Sequence, residues 1–287
     1  MENITGDFMY KRKLCLGVNV EFGGTETELI ESIGQAGFDG FFTEWSPDAP
    51  IGAWRKLADR LGLFYQSIHA PFLRAADMWK EGDGAEAAVA ELLACLRTCS
   101  EQEVPIMVAH AFIGFEDHTP NERGVANFER IAREAERLGV TLALENTEGE
   151  EYLAALMPLA DAYGCVGFCW DSGHEMCYNR SRDLLALYGK HLVCTHLNDN
   201  LGIRDFDGRI TWLDDLHLLP FDGVADWKAI AARLNRCGYD GAFTFELNRK
   251  SKPDRHENDC YGKLSSIEYL TEAYKRACRV AYPASGF

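Results

Sequence analysis

Six apolar runs of this chain end in a carboxylate or an imidazole: SIH at His69, MVAH at His110, LALE at Glu145, GFCWD at Asp171, VCTH at His196 and FTFE at Glu246. Carboxylates and imidazoles hold hard or borderline divalent ions, and both exchange protons, so the pattern allows metal binding, acid/base chemistry or both. Each residue alone has a plainer use: a carboxylate at a strand end caps the next helix, and a histidine there bonds backbone. Brought to one opening, however, six ionisable groups repel and desolvate one another, and a divalent cation is the natural compensator. In GFCWDSGHE the Ser-Gly turn after Asp171 also lets His174 return toward the same place.

Whether these groups meet depends on the elements that carry them. Short β-rich runs alternate with amphipathic helical stretches: KLCLGVNV then TELIESIGQAG, FDGFFTE then WRKLADRLG, LFYQSIH then GAEAAVAELLACLRTCSEQE, VPIMVAH then NFERIAREAERLG, and on through VTLALE, CVGFCWD, HLVCTH and YDGAFTFE with their following helices. Glycines at Gly37, Gly62, Gly139, Gly164 and Gly238 stand where helices should stop. Eight such units predict an α/β chain folded as a single (β/α)8 TIM barrel over residues 1–287, with its active site at the C-terminal ends of the strands. A doubly wound sheet is the alternative, but no G-x-G-x-x-G turn follows the first run. The longest interruption is the polar stretch from Asn198 to Gly223.

Strand side chains alternate between faces. Ala143 and Thr141 share a face with Glu145; Cys169, Gly167 and Cys165 with Asp171; Thr244 and Ala242 with Glu246. The opposite faces carry Leu144 and Leu142, Trp170 and Phe168, Phe245 and Phe243. A barrel covers its large residues with helices and fills a narrow interior with smaller ones, so the three carboxylates should point inward at the mouth. The same contrast is weaker behind His69, His110 and His196.

The bulk composition narrows the partners. A net charge of −16 disfavours a polyphosphate backbone, so no nucleic acid is expected. No run approaches the roughly 20 apolar residues of a membrane span, and the opening MENITGDFMYKRK lacks an apolar core, which predicts a cytoplasmic protein without a membrane partner. The 10 cysteines are scattered without a C-x-x-C pair and are expected to be reduced and mostly buried, Cys95 with Cys99 and Cys165 with Cys169 included.

The ordered set HAPF, VAHAFIG, LENT, WDSGH, THLNDN, DDLHLLPFDGVADW and FELN resembles the xylose isomerase-like barrel superfamily, which includes sugar-phosphate isomerases and epimerases, ketose epimerases and apurinic endonucleases. The resemblance implies one divalent ion, Mn²⁺, Zn²⁺, Co²⁺ or Mg²⁺, held by Glu145, Asp171, His196 and Glu246. It also implies that His69, His110, His174, Asp215 and His217 match positions that complete a three-zinc cluster in the endonuclease branch. The activity it suggests is isomerisation or epimerisation of a sugar or sugar phosphate by proton transfer through a metal-stabilised enediolate, with Glu145 and Glu246 as the acid/base pair. His174 and Arg204 would bind substrate oxygens, and Trp45, Phe72, Phe112 and Trp170 are candidate apolar walls, although parity turns Trp170 outward. The competing readings are a trinuclear-zinc apurinic endonuclease-like phosphodiesterase, a dehydratase of a polyol ketone using the same site, and a barrel kept only for binding. Relatives of this kind often associate, so a homo-oligomer is compatible with the resemblance.

Overall fold

The computed structural model describes residues 12–116, 118–203 and 209–284. The β-rich runs become strands β1 (Leu14–Gly17), β2 (Gly40–Glu44), β3 (Phe64–His69), β4 (Ile106–His110), β5 (Thr141–Glu145), β6 (Val166–Asp171), β7 (Leu192–His196) and β8 (Phe243–Phe245). Between and after them lie α1 (Glu26–Ala36), α2 (Ile51–Leu61), α3 (Asp83–Glu101), α4 (Glu122–Leu138), α5 (Glu150–Leu156), α6 (Pro158–Ala162), α7 (Ser172–Cys177), α8 (Leu184–Tyr188), α9 (Trp227–Arg236) and α10 (Ser266–Ala284). All pairings between neighbouring strands are parallel, in the order β7-β6-β5-β4-β3-β2-β1-β8. The two ends of that order meet just beyond β7: the Leu197 N–H donates to the Thr244 carbonyl at 2.8 Å, and the Glu246 N–H to the Leu197 carbonyl at 3.2 Å. The sheet is thus a (β/α)8 barrel, as the alternation predicts.

Local chemistry sets the helix limits. Thr25 and Glu28 form a reciprocal capping box at the start of α1. Gly37, Gly62 and Gly139 end α1, α2 and α4 with φ of 114°, 68° and 68°, a conformation that disfavours a Cβ. The stretch YLAALMPLADAYG divides into α5 and α6 because Pro158 has no N–H for a continuing helix and takes the first position of the next one. α6 then closes at Tyr163, one residue before the glycine expected to do so.

The barrel interior is small, as parity requires: Val108, Ala143, Cys169 and Cys194 form an enclosed cluster apart from the large core under the helices. Phe168 and Trp170 belong to that outer core. Each fully buried Leu, Ile or Phe there contributes roughly 1.5–3 kcal/mol over its exposed state. Parity fails at two places, and both are register shifts. In β3 the pairing passes from Phe41–Tyr65 to Phe42–Ser67, so Gln66 is an extra residue. In β7 it passes from Phe168–Leu192 to Cys169–Cys194, leaving Val193 extra. A bulge inverts the facing of everything behind it. Tyr65 therefore packs on Phe41 in the outer core, with ring centroids 4.5 Å apart, although it lies an even number of residues behind His69.

The cysteines are free thiols. No helix among the described residues is long and apolar enough to cross a membrane.

Candidate metal centre

At the mouth, register places the ionisable ends side by side: His110 is opposite Glu145, and Asp171 is opposite His196. Glu145 is fully buried at the middle of the group. Its Oε2 lies 3.2 Å from His69 Nε2 and 3.3 Å from His110 Nε2, and its Oε1 lies 2.7 Å from His196 Nδ1. The same His196 nitrogen is 3.0 Å from Glu246 Oε2. Ligand atoms of Glu145, Asp171, His196 and Glu246 all fall within 4.8 Å of one another.

Asp171 answers for the abrupt end of its apolar run. Its Oδ1 accepts the His174 N–H at 2.6 Å and caps α7, while its Oδ2 accepts from Asn198 Nδ2 at 2.8 Å. Ser172 donates to the Asn198 carbonyl at 2.7 Å and accepts its N–H at 2.9 Å. Gly173 is required by the same neighbour, since a Cβ there would stand 1.9 Å from Asn198 Oδ1. The turn after β6 thereby fits β7 tightly and carries His174 back to the mouth.

Three histidines share a device. Nδ1 of His69, His174 and His217 faces the carbonyls of Ala70, Asn146 and Glu246 at 2.9, 2.9 and 3.2 Å. A carbonyl only accepts, so Nδ1 carries the hydrogen and Nε2 is turned to a carboxylate, the arrangement by which outer contacts orient metal-ligating histidines. His174 Nε2 lies 3.5 Å from Asp215 Oδ2, and His217 Nε2 lies 2.9 Å from Asp215 Oδ1. His217 sits in the left-handed region with φ 47°, pinned by the Asn248 N–H on its carbonyl at 2.8 Å and by the Leu218–Asp199 bridge beside it. Asp199 in turn is saturated, accepting from Asn200, Phe221, Ala225 and the Trp227 indole at 2.9–3.0 Å. It fixes the loop that delivers Asp215 and His217.

Electrostatics reflects the crowding. Burial works against the His196 imidazolium, but Glu145 and Glu246 hold its pKa well above the ordinary imidazole value. Burial likewise opposes the carboxylates: Asp171 is pushed up to about 6, with His174 and His217 only partly offsetting it, whereas His196 and His217 pull Glu246 down to about 2. His110 is lowered by burial despite its contact with Glu145.

The donor set fits a divalent ion. Two carboxylate oxygens converge on one ring nitrogen of His196, which carries at most one hydrogen, and three acids crowd into one cage. Glu145, Asp171, His196 and Glu246 give the oxygen-rich set with one imidazole that suits Mn²⁺, Zn²⁺, Co²⁺ or Mg²⁺. Ligand atoms of Asp171, His174 and His217 form a second close group, and those of His69, Glu145 and His196 a third. All nine acids and histidines named from the sequence thus come together.

A cavity of about 330 Å³ opens beside them, lined by Gly17, Phe42, Glu44, Trp54, Asp215, His217, Glu246 and Lys252 among others. Its floor is Phe42, whose ring stacks on His196 at 4.7 Å; the ring sits where a Gly17 Cβ would be, 2.6 Å away. The expected aromatic walls are redistributed. Phe72 stacks on His110 at 4.8 Å, but the Trp45 indole is tied to Thr98, Phe112 stacks on Tyr152, and Trp170 donates to Glu175 beneath the helices. Arg204 lies outside the described residues. Asn146, Asn198 and Asp199 are supporting residues that sequence reasoning misses; their signal is adjacency to ligands in LENT and THLNDN.

A barrel with an acid-and-histidine cage at its strand ends is one class of fold and site, and comparison with known proteins gives it a family. Residues 30–266 match the model of the xylose isomerase-like TIM barrel, and the chain belongs to that family. It is 32% identical over 160 residues to the uncharacterized protein y4fM of Sinorhizobium fredii, a match covering 54% of this chain and 45% of that protein, so the chain spans under half of that relative's length. It is 28% identical over 200 residues to the probable endonuclease 4 of Methanoculleus marisnigri, covering 66% of this chain and 68% of that one. Among solved structures, the IOLI protein with a bound zinc atom is similar at TM-score 0.69 and 19% identity, covering 94% of this chain and 98% of its own. A D-tagatose 3-epimerase-like protein is similar at TM-score 0.66 and 20% identity, covering 92% and 98%. These structural likenesses concern the fold.

Proposed function

We propose that this chain is a metal-dependent isomerase or epimerase of a small sugar or sugar phosphate, working by proton transfer next to a carbonyl. The observation that carries this reading is the pair Glu145 and Glu246, delivered by β5 and β8 to the same nitrogen of His196 beside a sugar-sized cavity. The two glutamates differ in access. Glu145 is sealed among imidazoles, whereas the Glu246 side chain is 28% exposed and lines the cavity. Glu246 accordingly takes the proton from the substrate carbon, and Glu145, on the closed side, would hold the ion and set the charge on His196. A divalent ion held by Glu145, Asp171, His196 and Glu246 supplies the positive charge that polarises the carbonyl and acidifies the neighbouring C–H. His174, its tautomer fixed by Asn146, orients a substrate oxygen. The epimerase-like and zinc-bound neighbours support this choice.

A second reading, phosphodiester hydrolysis at an abasic site, is favoured by the complete nine-residue set and the endonuclease 4 relative. Leu73, 81% exposed beside Phe72, offers the kind of apolar wedge that enters between bases. Against it stands the net charge of −16. A dehydratase would use the same proton abstraction and differ only in the subsequent loss of water.

The test reloads the metal-free protein separately with Mn²⁺, Zn²⁺, Co²⁺ and Mg²⁺ and incubates it with aldoses, ketoses and their phosphates in D₂O. Metal-dependent deuterium incorporation beside the carbonyl supports the proposal. Silence across the panel together with incision of an abasic duplex transfers the function to the second reading.

A further inference from the structure

The cavity beside the centre contains three charged side chains that the cage does not use: Glu26, Glu44 and Lys252. None of the three side chains makes a hydrogen bond or ion pair with another described residue. Neighbouring polar groups are occupied. Asn19 donates to the Leu247 carbonyl and Asn248 at 3.1 and 3.2 Å and accepts from the Glu21 N–H at 2.9 Å. On the segment after β8, Arg249 is spent on the carbonyls of Phe22, Tyr261 and Leu264, and Arg255 on Glu257 and the Leu213 carbonyl. Lys252 instead rests on an aromatic face, its Nζ 5.3 Å from the centroid of Trp212. A ring face steadies an ammonium without neutralising it or filling its three donors.

We propose that Lys252 pairs with a terminal anion, carboxylate or phosphate, on the polyhydroxy substrate; this rests on the isomerase or epimerase reading. The carbonyl end of the substrate lies at Glu246 and the anionic end at Lys252. Glu26 and Glu44, lining the same cavity, accept from hydroxyls along the chain. The cavity thus sorts substrates by charge at one end.

The matched probes are D-fructose, D-fructuronate and D-fructose 6-phosphate, which differ only at the sixth carbon. Their affinities for Mn²⁺-loaded protein are measured by calorimetry. At least one anionic probe is expected to bind tenfold or more tightly than D-fructose, that ratio falling below threefold in Lys252→Gln and recovering in part in Lys252→Arg. The contrast between the two anionic arms identifies the anion. Melting temperature and metal content establish that each variant is folded and loaded. A ratio near one in the native protein, a ratio unmoved by Lys252→Gln, or binding of none of the probes overturns the inference. Deuterium exchange into the same sugars separates the two claims: exchange without an anion preference removes only the role of Lys252, and a Lys252-dependent preference without exchange removes only the proton-transfer reading.

Discussion

Two buried carboxylates stand back to back across β6, and they are treated in opposite ways. Glu175, behind the strand, receives both arms of Arg233 at 2.7 and 2.8 Å, the Trp170 indole at 2.9 Å and the Leu184 N–H at 3.0 Å. Its charge is matched and its oxygens are filled. Glu145, in front, shares a cage with Asp171 and Glu246 in which no lysine or arginine takes part among the described residues, and His196 Nε2 beside it is buried with no hydrogen-bond partner. A closed polar network fixes geometry, whereas an open one retains capacity for a cation and a substrate.

Substitutions should separate the two. Glu246→Gln is expected to lower turnover about 10²–10⁴-fold, the range for losing an acid/base group, with little change in melting temperature; native rates in this variant would remove it from the chemistry. Glu175→Gln should do the reverse. Breaking the ion pair should cost about 3 kcal/mol in denaturant unfolding, the low end for a buried pair because Asp183 still holds Arg233, while metal stoichiometry stays intact. Gly173→Ala joins the two regions: by displacing Asn198 from Asp171 it should weaken metal affinity about 10–100-fold, read by competition with a chelator. The smallest effect, taken per pH unit, is that of pH. Binding an ion through His196 Nδ1 displaces a proton whose pKa lies above the ordinary imidazole value, so metal affinity should rise with pH through neutrality by about tenfold per unit for each proton released. A flat profile between pH 6 and 8 would show that binding releases no proton from His196 in that range.

The same contrast explains what sequence reveals. Glu145, Asp171 and Glu246 are legible because small residues share their strand faces and large ones do not. Behind His69 and His196 that regularity is lost, since the extra residues Gln66 and Val193 depend on how β2 and β6 pair with their neighbours, which is not written locally. Asp215 and His217 lie in a polar loop without periodicity, and only the ordered motifs point to them. Their placement depends on Asp199, which gathers donors from four positions of the folded loop. Trp45 and Phe112 look like pocket walls by position, but Thr98 and Tyr152 engage them elsewhere. Glu175 next to His174 gives no sign of its partner, 58 residues away.

The seam of the barrel has its own significance. β7 and β8 join through the backbone of Leu197 and through the Thr195 hydroxyl, which donates to the Ala242 carbonyl at 3.3 Å and accepts the Thr244 N–H at 3.2 Å, and the residues at that join, His196 and Glu246, come one from each side. An ion gripped by both would act as a clasp where the order of paired strands opens, so that loading the centre and locking the ring become a single event.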